Sequence, residues 1–402
     1  MSLVFLLNKK KTKKGKRNLQ YCSVFLDYDN DEMLKDTEND DFEPPDITDS
    51  LGGFTLNVIA RDSATFSNKV IIKTDSNEGC VDSFTNAKPG MLTLRAPMDA
   101  SVITPLTTVA IEIASVYLIT VERAAELILE SIGLAEESID SDLIFKIDPF
   151  QKLVIDGDDS IATVAYASVN VANAISMISS LLYGAGTSSK AEAEAATLLA
   201  FAKRIGDTNI VLRKKRRILL EKYTKRLNVS DSSDISSIIS SAVSVVSRTS
   251  PDVRVDTAAK NAVAQASASA SSYLLSTNTT SESYSGEAIS KICAAAVKVL
   301  QDPELLEAIF DLGRDAETMQ ESTLIRDLQS SATMSAKYET AKASVSVVIP
   351  QYPSPPSPPP HPPPPLTISV TLTSSDAVAL SFPKWTIWWL SCLTLTIALA
   401  AS

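Results

Sequence analysis

The chain has little histidine, cysteine or aromatic content, and the shortage of histidine excludes several kinds of chemistry. Among 402 residues there is one histidine, His361, and it lies inside a run of prolines. A single imidazole there excludes a histidine base held by an orienting carboxylate, and it excludes any metal site with two histidines. Neither GxSxG nor GxxxxGK[ST] occurs. We therefore expect no enzyme activity, no catalytic residues, no metal and no cofactor.

The cysteines are few and far apart. They are Cys22, Cys80, Cys293 and Cys392, with no CxxC pair among them. That spacing excludes a zinc ribbon and a small disulfide-stapled fold. Buried or free thiols are the expected state, with at most one long-range disulfide as the alternative.

Charge and composition limit the partners and the fold class. The net charge of −11 argues against nucleic acid as the main partner, because a phosphate backbone needs a positive surface. Hydrophobic residues make up 45% of the chain, so a sizeable core can be buried. Aromatic residues are only 6%, which favours closely packed helices of small residues.

The first 98 residues divide into two parts. Residues 1–50 contain a basic block followed by an acidic block. This charge pattern predicts a disordered tail. The basic residues follow a short apolar run instead of preceding it, so the start does not match a secretory signal. Residues 51–98 predict a small β region with strands in GFTLNVIA, KVIIKT and MLTL. Such a sheet needs a helix or a partner to cover its apolar face.

The pattern of residues 99–345 predicts an α-helical domain. We therefore expect a mainly α fold, built as a multi-helix bundle. A capping residue followed by proline marks three expected helix starts, at Thr104-Pro105, Ser250-Pro251 and Asp302-Pro303. From Thr104 one apolar stripe continues to Gly133, where we expect the first helix to stop. Further helices are expected from Asp158 or Asp159, over about 190–226, within 252–275, over about 286–300 and over 303–344.

Two charged motifs in this domain are candidate binding sites. Asp156 and Asp158 match the start of a calcium loop, but Ser160 and Ala167 stand where that loop needs acidic ligands. A turn with a helix cap is the better interpretation. The densest basic patch is a possible anion-binding site, with a solvated helix face as the commoner alternative; it comprises Arg213, Lys214, Lys215, Arg216 and Arg217.

The C-terminal part changes character. The spacer, residues 350–366, holds 11 of the 20 prolines within 350–365. It predicts a polyproline II rod of about 50 Å. A linker, 367–384, leads to residues 385–402, which carry no charge and begin with clustered tryptophans. That segment predicts a membrane-associated helix of roughly 27 Å.

Two stretches resemble known families. Residues 79–108, GCVDSFTNAKPGMLTLRAPMDASVITPLTT, resemble a segment of large bacterial and algal surface proteins of the adhesin type. FKIDPF at 145–150 and the helix that follows extend this likeness to about residue 183. The spacer resembles the proline-rich spacers of pherophorin and extensin-type wall glycoproteins of green algae. That resemblance implies modified prolines, with these candidates: Pro353, Pro355, Pro356, Pro358, Pro359 and Pro360.

The surface interpretation brings further candidate positions. Ser374, Ser375 and Asp376, followed by a spacer and an apolar run, match the order of a lipid-anchor signal. Asn228 and Asn278 begin sequons that the secretory route would make usable. A retained membrane helix and a cleaved anchor signal both stay open.

These features support three hypotheses. The first is a non-enzymatic surface protein in adhesion or matrix structure, held to the membrane by 385–402, with wall polysaccharide or matrix proteins as partners. The second is an intracellular tail-anchored adaptor whose proline-rich motif docks SH3 or WW modules. The third is a helical anion binder that uses Arg213–Arg217. The oligomeric state is left open.

Overall fold

The structure is a computed structural model that describes most of the chain up to residue 345. The ranges are 11–15, 19–27, 46–49, 54–58, 69–73, 80–82, 93–134, 140–156, 159–207, 230–276, 286–315 and 323–345. Within them the protein is mainly α-helical, with a small N-terminal β region, as the sequence predicts. The predicted rod, linker and apolar segment lie outside the described residues.

Short antiparallel strands build the β region. They are β1 (Lys11–Gly15), β2 (Leu19–Gln20), β3 (Ser23–Asp27), β4 (Asp46–Ile47), β5 (Phe54–Val58), β6 (Lys69–Lys73), β7 (Val81–Asp82) and β8 (Thr93–Pro97). A sheet of four strands has the order β4-β3-β6-β8, and β1 pairs with β5 and β2 with β7. The three predicted strands are confirmed as β5, β6 and β8.

Strand β3 corrects the predicted N-terminal boundary. The sequence prediction assigned residues 1–50 to a tail, yet β3 lies in the interior of the four-stranded sheet. It pairs with β6 from Ser23↔Lys73 to Asp27↔Lys69. Val24 and Leu26 are fully buried and belong to the main hydrophobic core. The β region therefore begins before residue 51, because the backbone of SVFLD pairs with β6 and its apolar side chains pack in the core.

The helices follow β8. They are α1 (Pro105–Tyr117), α2 (Val121–Ser131), α3 (Asp142–Phe145), α4 (Pro149–Asp156), α5 (Asp159–Gly184), α6 (Lys190–Gly206), α7 (Ser232–Val246), α8 (Thr257–Ser276), α9 (Gly286–Leu300), α10 (Pro303–Arg314), α11 (Thr323–Gln329) and α12 (Ser331–Ser344). The helix expected over 190–226 is described as α6, and residues 208–229 lie outside the description. The one expected over 303–344 is divided into α10, α11 and α12.

The first predicted helix is broken in two. Helix α1 ends at Tyr117, and the next residue, Leu118, has left-handed backbone angles (φ 52°). Helix α2 starts after its cap, Thr120. The two helices lie at 115° to each other. The Thr120 hydroxyl accepts a hydrogen bond from the Arg123 backbone N–H, which satisfies a donor at the start of α2. The expected stop at Gly133 is confirmed by its positive φ of 91°.

Of the three predicted helix starts, two are correct. Thr104 forms a capping box with Thr107, and the Asp302 carboxylate accepts hydrogen bonds from the first backbone N–H groups of α10. Ser250-Pro251 is not a helix start. The Val253 N–H donates to the Ser250 carbonyl at 3.1 Å, which places proline second in a β-turn. Helix α8 begins later, at Thr257.

Helix α5 is the centre of the bundle. It packs against α4, α6, α8, α9 and α10. Among the described residues it is the one unbroken helix that is long and apolar enough to cross a bilayer. However, 94% of its most apolar 18-residue stretch is buried inside the protein. The core helix of a globular domain has the same composition. At its end Gly184 touches the backbone of Phe310 in α10, and no larger residue fits that approach.

Candidate functional site

The site residues predicted from sequence lie outside the described residues. This applies to Arg213, Lys214, Lys215, Arg216, Arg217, Asn228, Asn278, His361, Ser374, Ser375, Asp376, the six candidate modified prolines and the apolar segment 385–402. Asp158 also lies outside, while Asp156 ends α4 and α5 begins at Asp159 as predicted. The structure therefore tests none of these sites.

A disulfide between Cys22 and Cys80 is the main chemical feature of the described part. It joins the residue before β3 to the residue before β7, across 58 positions of sequence. Both cysteines are fully buried. The expectation of free thiols is thus wrong for this pair, and the long-range alternative is correct. No local spacing signals the pairing, because it depends on strands that meet only in the folded sheet.

Hydrogen bonds to Thr48 hold the Cys22 side of the disulfide in place. The Cys22 N–H donates to the Thr48 hydroxyl at 2.8 Å, and the Thr48 N–H donates to the Cys22 carbonyl at 2.9 Å. The Tyr21 N–H donates to the Thr48 carbonyl at 2.8 Å. Residues 46–49 are therefore fastened to the start of β3 beside the cross-link. Such surroundings are typical of a structural disulfide, since both cysteines are buried and the residues beside Cys22 are hydrogen-bonded to Thr48.

Cys293 is the free cysteine of the described residues. It is buried on α9, and burial raises the pKa of its thiol far above the ordinary value. A thiol that stays protonated is a weak nucleophile. Cys293 therefore acts as a small packing residue, as expected for buried thiols.

Helix α1 covers one edge of the four-stranded sheet. The Arg95 N–H of β8 donates to the Thr108 hydroxyl at 2.9 Å, and the Thr107 hydroxyl donates to the Arg95 carbonyl at 2.7 Å. The Thr93 N–H donates to Glu194 of α6 at 2.7 Å. Backbone groups that an edge strand exposes are thus bonded by helix side chains, which prevents pairing with another chain. The sequence also predicted that a helix or a partner covers the apolar face of the sheet, and α1 does so: Leu94 and Ala96 of β8 share the hydrophobic core with Leu106.

The described polar clusters connect helices. Glu192 of α6 accepts hydrogen bonds from Ser188 and from Thr249 and Ser250, which follow α7. These bonds, the Ser188 hydroxyl first, lower the pKa of the Glu192 carboxyl. The cluster fixes the start of α6 to the end of α7.

The buried tyrosines also connect helices. Tyr273 of α8 stacks on Tyr338 of α12 with ring centroids 4.4 Å apart, and the Tyr273 hydroxyl donates to Glu339. Burial raises the pKa of both phenols. Each therefore stays protonated at neutral pH. Across the described ranges, no group of three His, Cys, Asp or Glu side chains could hold a metal ion.

Comparison with known proteins assigns no family and no fold relative to the chain. No family model, no curated protein and no solved structure matches the chain. The likenesses to surface adhesins and to algal wall glycoproteins therefore remain predictions from the sequence.

Proposed function

We propose that this chain is a non-enzymatic cell-surface protein with a role in adhesion or extracellular-matrix structure. A helical domain with a disulfide-linked sheet is displayed on the proline-rich spacer 350–366. The apolar segment 385–402 holds it at the membrane. Wall polysaccharide or matrix proteins are the proposed partners.

The Cys22–Cys80 disulfide is the observation that carries this proposal. Disulfides form and persist outside the cell and in the secretory route, whereas cytosolic thiols are kept reduced. Both cysteines are fully buried, so the bond is part of the core and not an exposed, exchangeable pair. The domain is thus suited to an oxidising compartment.

The proline spacer supplies the second line of support. Its 11 prolines predict an extended polyproline II segment that loses little conformational entropy when it holds a domain at a distance. An adhesive or matrix domain gains reach from such a spacer. The uncharged segment 385–402 supplies the attachment in the same proposal.

The intracellular adaptor is the alternative, and one sequence feature favours it. PPSPPPHPPPP, residues 355–365, contains the PxxP spacing that SH3 and WW grooves bind. An adaptor of this kind would keep its cysteines in the reducing cytosol. The two proposals are therefore separated by the compartment of the helical domain.

Surface labelling of intact cells tests the choice. A membrane-impermeant amine reagent should label the helical domain on intact cells, and glycosidase treatment should change its gel mobility. A variant that lacks residues 385–402 is the matched control. This variant should no longer sediment with the membranes, because the proposed attachment is gone. Labelling only after lysis, together with unmodified mobility, would contradict the surface proposal and favour the adaptor.

A further inference from the structure

Helix α5 carries two amide side chains in the middle of the bundle. Asn170 and Asn173 are 4% and 1% exposed. They are three positions apart, so they lie on the same side of the helix within one turn. Among the described residues they are the two buried amides, while the other buried polar side chains of α5 are serines.

The hydrogen bonds of these amides are incomplete within the protein. The side-chain N–H of Gln301, in the link between α9 and α10, donates to Asn173 Oδ1 at 3.2 Å. Asn173 Nδ2 and Asn170 Oδ1 are buried and have no protein partner. One is a donor and the other an acceptor. An amide donor or acceptor buried without a partner is strongly destabilising, and native cores retain few of them.

We propose that Asn170, Asn173 and Gln301 form an internal hydration site that holds ordered water between α5 and the α9–α10 link. Buried water bonds to about three polar groups, and it accepts from one group while donating to others. A single molecule can accept from Asn173 Nδ2 and donate to Asn170 Oδ1, because amides three positions apart on a helix are within its reach. The bound water holds the Asn173 amide in the orientation in which its oxygen accepts from Gln301. It therefore supports the direct hydrogen bond that joins α5 to the link.

Replacing Asn170 with leucine distinguishes a hydrated site from a dry one. In a hydrated site Asn170→Leu displaces the bridging water and leaves Asn173 Nδ2 without a partner, so the melting temperature of the full chain falls by several degrees. In a dry site the same change removes an unsatisfied acceptor, and the melting temperature rises. Asn261→Leu on α8 is the control, since Asn261 is an exposed amide and its replacement should change the melting temperature little.

Direct detection of the water is the second measurement. In the full chain, the Asn173 side-chain amide protons should show a nuclear Overhauser effect to a long-lived water, and this signal should disappear in Asn170→Leu. A crystal structure should show water within hydrogen-bonding distance of Asn170 Oδ1. A higher melting temperature for Asn170→Leu, or amides bonded to repacked protein atoms with no water, would overturn the proposal.

Discussion

Removal of the Cys22–Cys80 cross-link should strongly destabilise the protein. The bond closes a loop of 58 residues. The chain-entropy model gives about 4 kcal/mol of lost stability for a loop of that length. Val24 and Leu26 of β3 share the core with Leu106 of α1, so we expect the loss to appear in the unfolding of sheet and bundle together.

The test is urea unfolding of the full chain and of the double variant Cys22→Ala, Cys80→Ala. A double variant is needed because a single one leaves a thiol that can form wrong disulfides. Cys293→Ala is the matched control, since it removes one buried sulfur without opening a loop, at a cost of about 1 kcal/mol. If the double variant loses no more than twice the control, the cross-link contributes nothing and the reasoning is refuted.

Three other changes test local features of the fold. Leu118→Gly should leave the free energy of unfolding unchanged or raise it by about 1 kcal/mol. Leu118 is 92% exposed, so little packing is lost, and glycine adopts its left-handed backbone (φ of 52°) without strain. A clear loss of stability would contradict this. Gly184→Ala should lower the free energy of urea unfolding by about 1–3 kcal/mol, since a Cβ there overlaps the Phe310 carbonyl; an unchanged midpoint would show that the helices are not in close contact. Glu192→Gln should destabilise the protein at neutral pH, because hydrogen bonds led by the Ser188 hydroxyl lower the folded-state pKa of Glu192 below its ordinary 4.5. Stability from a lowered carboxyl pKa is present above that ordinary value and is lost as pH falls through the folded-state pKa. Unfolding measured across pH should therefore show the difference between Glu192→Gln and the natural chain shrinking as pH falls below 4.5. A difference that stays constant or grows as the pH falls through this acid range would contradict the pKa direction.

Local signals in the sequence predicted most of the helical part correctly. Thr104 and Asp302 cap real helices, because a capping side chain satisfies its own helix and needs no distant partner. The predicted helix start at Asp159 is also correct. Ser250-Pro251 failed since a small polar residue before proline also begins a β-turn. The break at Leu118 was missed because the apolar stripe continues across it, although Thr120 offered a cap signal.

The N-terminal sheet was harder to predict because its contacts are long-range. Strand β3 lies between a basic and an acidic block, and its partner β6 is more than forty positions away. The disulfide has the same origin: nothing near Cys22 indicates Cys80. The buried amides of α5 were also missed, since in sequence Asn170 and Asn173 look like ordinary polar positions of a helix. Their environment depends on the helices that surround them.

The oxidation state of Cys22 and Cys80 in living cells is the most direct test of a surface-displayed domain. Cells are quenched in acid, free thiols are alkylated under denaturing conditions, and the digested protein is analysed by mass spectrometry before and after reduction. The account predicts a linked Cys22–Cys80 peptide in nearly all molecules and an alkylated Cys293. Alkylation of both Cys22 and Cys80 without prior reduction would contradict it, because the folded domain would then reside in a reducing compartment.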